Sequence, residues 1–114
     1  MAATVAADSL WLAYGTRGVA KLIEGLSLDA ERDAATRDCL EKLNGLASNQ
    51  ENKVSALSRE SLVPTLKGLL GADAPETRRL AALLLASLAM LFPGRLAIRD
   101  AGAVATLSDL VAAC

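Results

Sequence analysis

The chain has 114 residues, of which 53% are hydrophobic but only 3% aromatic, so any core must be assembled from leucine, alanine and valine. Strong helix formers dominate and β-branched and aromatic residues are scarce, which argues against a sandwich or barrel and for an all-α class. A formal net charge of −1, with no cluster of five or more Lys/Arg, lacks the electrostatic footprint of a nucleic-acid binder, and the longest apolar stretch, Leu80 to Phe92, is interrupted by Ser87 and too short to span a bilayer.

In chain order, Trp11, Leu12 and Tyr14 gather the few aromatics into one short stretch, which suits either a cap over the first core or an interface anchor. Val19, Leu22, Ile23 and Leu26 follow i, i+3, i+4, i+7 and predict a helix over roughly Arg17 to Leu26. Asp29 offers an N-cap to a longer helix running to about Ser48, with Ala35, Cys39, Leu43 and Leu46 as its apolar stripe and Arg37, Glu41 and Asn44 on another face. A short helix follows from Glu51 to Leu57, expected to expose Asn52 and Lys53 and to bury Val54 and Leu57. Ser61 is the expected cap of the next helix, which turns Leu62, Val63, Leu66, Leu69 and Leu70 inward, tolerates Pro64 in its first turn and closes at Gly71. Asp73 and Pro75 open a long helix striped by Ala81, Leu84, Leu85, Leu88 and Phe92 and ended by Pro93-Gly94. A short helix near Arg95 to Asp100 and a last one from about Val104 to Val111 are separated by Ala101-Gly102.

The order of short, medium and long helix recurs. Leu62-Val63-Pro64-Thr65-Leu66 lies 41 residues before Ala103-Val104-Ala105-Thr106-Leu107, and Val19, Ile23, Gly25 and Leu26 lie 43 before Leu62, Leu66, Gly68 and Leu69. A period of roughly 40 to 47 residues with two or three helices is the range of armadillo and HEAT arrays. The stretch Leu43-Asn44-Gly45-Leu46-Ala47, then Glu51-Asn52-Lys53, then Leu62 to Leu70, resembles the armadillo repeat, and Ser87-Leu88-Ala89, Ala97-Ile98-Arg99 and Ala101-Gly102-Ala103-Val104 echo it. The resemblance covers about Arg17 to Val111 and implies an armadillo-like right-handed α-solenoid of about two and a half repeats. Residues 1–16 are then an N-terminal segment or cap and residues 17–114 the repeat domain. Ala13-Tyr14-Gly15, Val19 to Leu22 and Thr36-Arg37 to Leu46 are similar, more narrowly, to armadillo-repeat proteins of ciliary radial spokes.

In armadillo proteins the third helix of each repeat lines a concave groove in which an asparagine binds the backbone of an extended peptide. The resemblance assigns that position to Asn44, with Ser87 as its counterpart one repeat later. Leu40 and Leu83 stand where nuclear-import receptors carry tryptophan, so recognition of basic nuclear-localisation peptides is not expected. The groove candidates are Arg37, Glu41, Asn44, Arg79, Leu83, Ser87 and Met90, and the N-terminal candidates are Trp11 and Tyr14. Glu76 with Arg78-Arg79 reads as a solvated, locally paired face.

Histidine is absent, the two cysteines Cys39 and Cys114 cannot form a structural zinc site alone, and the glycines stand singly instead of forming a phosphate loop, so neither an enzyme nor a bound metal or cofactor is expected. Cys39 reads as a small core residue. The first positive side chain is Arg17, which fits neither a secretory signal nor an Arg-rich transit peptide, and a cytoplasmic compartment follows as the default. The expected function is a non-catalytic protein–protein interaction scaffold, a structural subunit of a larger assembly whose partners are other proteins, not nucleic acid, membrane or a small-molecule substrate. The narrower resemblance implies the radial spoke of the motile ciliary or flagellar axoneme. The alternative is a soluble peptide-binding adaptor that uses the groove around Asn44. A last helix stopping where the family begins its long third helix leads to the expectation of an uncovered apolar end, from a chain that is a fragment or is completed by a partner.

Overall fold

The computed structural model describes residues 15–113, with side chains for 18–112; Trp11, Tyr14 and Cys114 lie outside the described residues. Among the described residues there are seven α-helices, one 3-10 turn and no strand. The helices are α1 (Gly15–Glu24), α2 (Asp33–Leu46), α3 (Gln50–Leu57), α4 (Leu62–Leu69), α5 (Pro75–Leu88), α6 (Phe92–Asp100) and α7 (Ala103–Ala113), and the 3-10 turn Ala30–Arg32 precedes α2. Like helices meet. The most extensive packing is between the two fourteen-residue helices α2 and α5, while α3 lies against α6 and α4 against α7. Within each unit α1 packs on α2, and α4 on α5.

Among the described residues, eighteen buried apolar side chains form one continuous core, led by Leu40, Leu62, Leu66, Leu70, Ala81, Leu84, Leu85 and Leu88. Leucine and alanine suffice here because closely spaced helices leave gaps of aliphatic width, and close packing of such side chains supplies most of the stabilisation. Along α2 and its C-cap Ala47 the inward stripe is Thr36, Leu40, Leu43 and Ala47, one residue on from the expected Ala35, Cys39 and Leu46 positions: Ala35 is exposed, and Cys39 and Leu46 are half-buried. The polar member is accommodated by bonding, since the Thr36 hydroxyl accepts from the Ser27 amide (3.1 Å) and donates to the Ser27 carbonyl (3.3 Å). A threonine recurs 41 residues later at Thr77, also fully buried, whose hydroxyl donates to Asp33 Oδ1 at 2.7 Å and so pins the start of α5 to the start of α2.

The helix ends differ from the expected caps. Asp29 caps the 3-10 turn instead of α2, accepting from the Glu31 amide. Asn49 caps α3 by accepting from the Glu51 and Asn52 amides. Ser61 and Asp73 make no capping bond; α5 starts from an extended Ala74 with Pro75 in the first turn. Pro93-Gly94 does not end the long helix, which stops at Leu88; the pair lies in the first turn of α6. A proline fits there because the first turn has no amide partner to lose.

The turn from α5 into α6 depends on a missing side chain. A Cβ at Gly94 would fall well inside van der Waals contact of the Leu88 carbonyl. One unit earlier, 42 residues back, Asn52 sits against the end of α2 and its side-chain amide donates to the Leu46 carbonyl at 2.9 Å. The same place is therefore bridged by an amide in one unit and by direct backbone approach in the next. Gly94→Ala should destabilise the fold by about 3 kcal/mol, at the upper end of overpacking costs because backbone has to move. Urea unfolding monitored by circular dichroism measures it, and a loss under about 1 kcal/mol would show that the turn relaxes readily.

Candidate interaction surface

The sequence candidates on α2 and α5 are brought to one flank by the side-by-side packing of these helices, with one exception. Arg37 Nε lies 3.0 Å from Asp33 Oδ2, an ion pair without hydrogen-bond alignment, while Arg79 donates to Glu76 in a two-point pair. Glu76 also feels the charge of Arg37, and Arg79 that of Glu41, so the carboxylates and guanidiniums alternate across the junction of the two helices. The charged part of the flank is thus a ladder of Asp33, Arg37, Glu41, Glu76 and Arg79, which cross-braces the packing weakly and presents both signs to solvent.

Donation from Arg79 holds the Glu76 carboxyl below the usual carboxylate range, with the guanidinium charge adding to the effect. A depressed folded pKa means that this pairing stabilises above the unfolded value and is lost as pH falls through the lowered one. Both groups are exposed, so the contribution is small and screened by salt.

Further along α5 the flank turns apolar. Leu83 is 45% exposed and Met90 71%, with Ser87 half-buried between them. Lys53 was expected outside but is buried: its ammonium reaches to 3.7 Å from the Met90 sulfur, and its aliphatic stem is covered. Val54, expected inside, is instead exposed, as is Phe92, over whose ring the Arg95 guanidinium sits at 5.7 Å.

Asn44 is the exception. Its side-chain amide donates to the Leu40 carbonyl (3.0 Å) in its own helix and to the Leu80 carbonyl (3.1 Å) in α5. Both amide protons are engaged in the helix junction, so Asn44 joins α2 to α5 and its NH2 has no donor left for a peptide backbone. Gly45 beside it is exposed, with open space where a Cβ would stand. Adjacent residues on a helix point about 100° apart, which turns an outward assignment into an inward one.

Elsewhere, a cleft of about 390 Å³ lies between the Ser27–Ala30 segment and the α4–α5 turn, with Asp29, Asp33 and Asp73 at its walls. No group of three or more metal-ligating side chains able to hold an ion occurs among the described residues, and no helix of the described chain is long and apolar enough to cross a membrane. Cys39 carries a free thiol beside Gly25, where a Cβ would stand 2.8 Å from its sulfur. Burial pushes this thiol up from its ordinary pKa, and the neighbouring Asp38 charge adds to the shift.

No protein-family model, curated protein or solved structure matches the chain.

Two outcomes follow from this geometry. Asn44→Ala should cost about 1–3 kcal/mol of stability, because the Leu80 carbonyl loses a partner at the helix junction; equilibrium unfolding checks it, and an unchanged midpoint would return Asn44 to the surface. In a Cys114→Ser background, Cys39 should react with a disulfide reagent more slowly than a free peptide thiol at neutral pH, with a midpoint displaced upward. Reaction at the peptide rate would show an open, unperturbed thiol.

Proposed function

We propose that the chain is an armadillo-like right-handed α-solenoid of about two and a half repeats that acts as a non-catalytic scaffold, a structural subunit of a larger protein assembly. The observation that carries the reading is the pairing of like helices one repeat apart, α2 on α5, α3 on α6 and α4 on α7, which is how a linear stack of repeats propagates. Such a stack displays continuous flanks, and here one flank runs from a two-signed charge ladder to the exposed Leu83 and Met90. The charged end steers and orients a partner, and the apolar end supplies the area for binding.

The partners in this reading are proteins, and the compartment is the cytoplasm. The radial spoke of the motile ciliary axoneme is the narrower proposal, and it rests on the resemblance carried by Ala13-Tyr14-Gly15 and by Thr36 to Leu46. The alternative of a peptide-binding adaptor built on Asn44 has lost its central donor, for the reason given above.

The test is tagged expression in ciliated cells with the wild-type chain and an Arg79→Glu/Leu83→Asp variant. Wild type should co-sediment with axonemes after detergent extraction, and the variant should be lost to the soluble fraction at unchanged thermal stability. Complete extraction of the wild type would contradict the axonemal proposal. Equal retention of both would contradict the role of the α2–α5 flank.

A further inference from the structure

Two cations at matching places converge on the turn that follows α5, and only one of them finds an oxygen there. Arg95, the fourth residue of α6, donates to the Ala89 carbonyl at 2.9 Å and sits over the Phe92 ring. Lys53, the fourth residue of α3 and 42 positions earlier, reaches the next residue of the same turn, its ammonium donating to the Met90 sulfur at 3.7 Å. Lys53 is only 8% exposed and takes part in no ion pair among the described residues. A thioether is a weak acceptor, so an ammonium on a covered stem is held against a partner that satisfies it poorly. Met90 is 71% exposed, which leaves it open to a dissolved oxidant.

We infer that Met90 is a peroxide-sensitive modification site whose sulfoxide is held by Lys53. A lone pair of the sulfur attacks one oxygen of hydrogen peroxide, so that an S–O bond forms as the O–O bond breaks. Sulfur gives up two electrons; the other peroxide oxygen leaves as hydroxide and takes the proton of the transferred oxygen to become water. The product is a polar sulfoxide, a much stronger acceptor than the thioether, formed beside an ammonium that lacks an oxygen partner. Methionine has three rotatable bonds, so either sulfoxide epimer can turn its oxygen toward Lys53 Nζ. Oxidation of a core methionine disrupts packing, whereas at this exposed position the new polar group fastens α3 to the turn after α5. It also makes the far end of the α2–α5 flank polar. The contact lies within one chain and does not depend on which partner the flank meets.

The full chain is treated with hydrogen peroxide at about pH 5, where protonated thiols leave Cys39 and Cys114 unreactive, and peptide mass mapping separates Met90 from Met1. At neutral pH, urea unfolding should then give a folding equilibrium constant about threefold higher for the oxidised than for the untreated protein, the order of one strengthened, partly screened hydrogen bond. Peroxide should leave the stability of Met90→Leu unchanged, and the gain should vanish in Lys53→Leu but persist in Lys53→Arg. Oxidation that leaves stability unchanged or lowers it would overturn the proposal. So would a gain that survives Lys53→Leu, or a Met90 that stays unmodified while Met1 reacts.

Discussion

The architecture depends on two fourteen-residue helices, 42 residues apart, lying side by side. The α2–α5 junction buries Leu40, Leu43, Leu80, Ala81 and Leu84, and it is the one place where side-chain hydrogen bonds join like helices of successive units, through Asn44 to Leu80 and Thr77 to Asp33, among the described residues. Apolar burial provides the driving force but little register, since an alanine- and leucine-rich surface can slide by a turn at small cost. Three polar groups placed at fixed heights remove that freedom. A slip by one turn would strand the Thr77 hydroxyl without its acceptor in a fully buried site, at a cost of about 1–3 kcal/mol.

From that junction the rest follows in both directions. The end of each long helix must turn sharply to begin the next unit, and the close approach at Leu46 and Leu88 is met by Asn52 in one case and Gly94 in the other. The same side-by-side geometry lines up Arg37, Glu41, Glu76 and Arg79 on one flank and leaves Leu83 and Met90 at its far end. It also lays α7 against α4, with Ala103 buried and Val104 and Val111 exposed.

The helices themselves, their order and the 41 to 43-residue recurrence were legible in the sequence, because leucine at helical spacing and the breaks at Ser48-Asn49, Gly71 and Gly102 are local signals. Helix rotation was not. In α2, Ala35-Cys39 and Thr36-Leu40 are both plausible inward rows, and the choice was made by neighbours: Ser27 can satisfy a buried Thr36, and Gly25 gives Cys39 room only for its sulfur. That one-residue ambiguity is also what moved Asn44 from the groove to the helix junction. Pro93 misled for a related reason, since proline both follows a finished helix and starts a new one, and the two readings differ only in where the chain turns. Lys53 and Val54 exchanged their expected places because the long aliphatic stem of a lysine can be covered like an apolar side chain, here with its ammonium against the Met90 sulfur, which a hydropathy pattern does not register.

The most direct test of the α2–α5 junction is a double-mutant cycle on the one side-chain pair that crosses it with both partners replaceable. Thr77→Val, Asp33→Ala and the double variant should give a coupling free energy of about 1–2 kcal/mol from equilibrium unfolding, with the double variant less destabilised than the sum of the singles. Strict additivity would mean that Thr77 and Asp33 do not meet, and the side-by-side register on which the flank and the turn at Gly94 depend would be wrong.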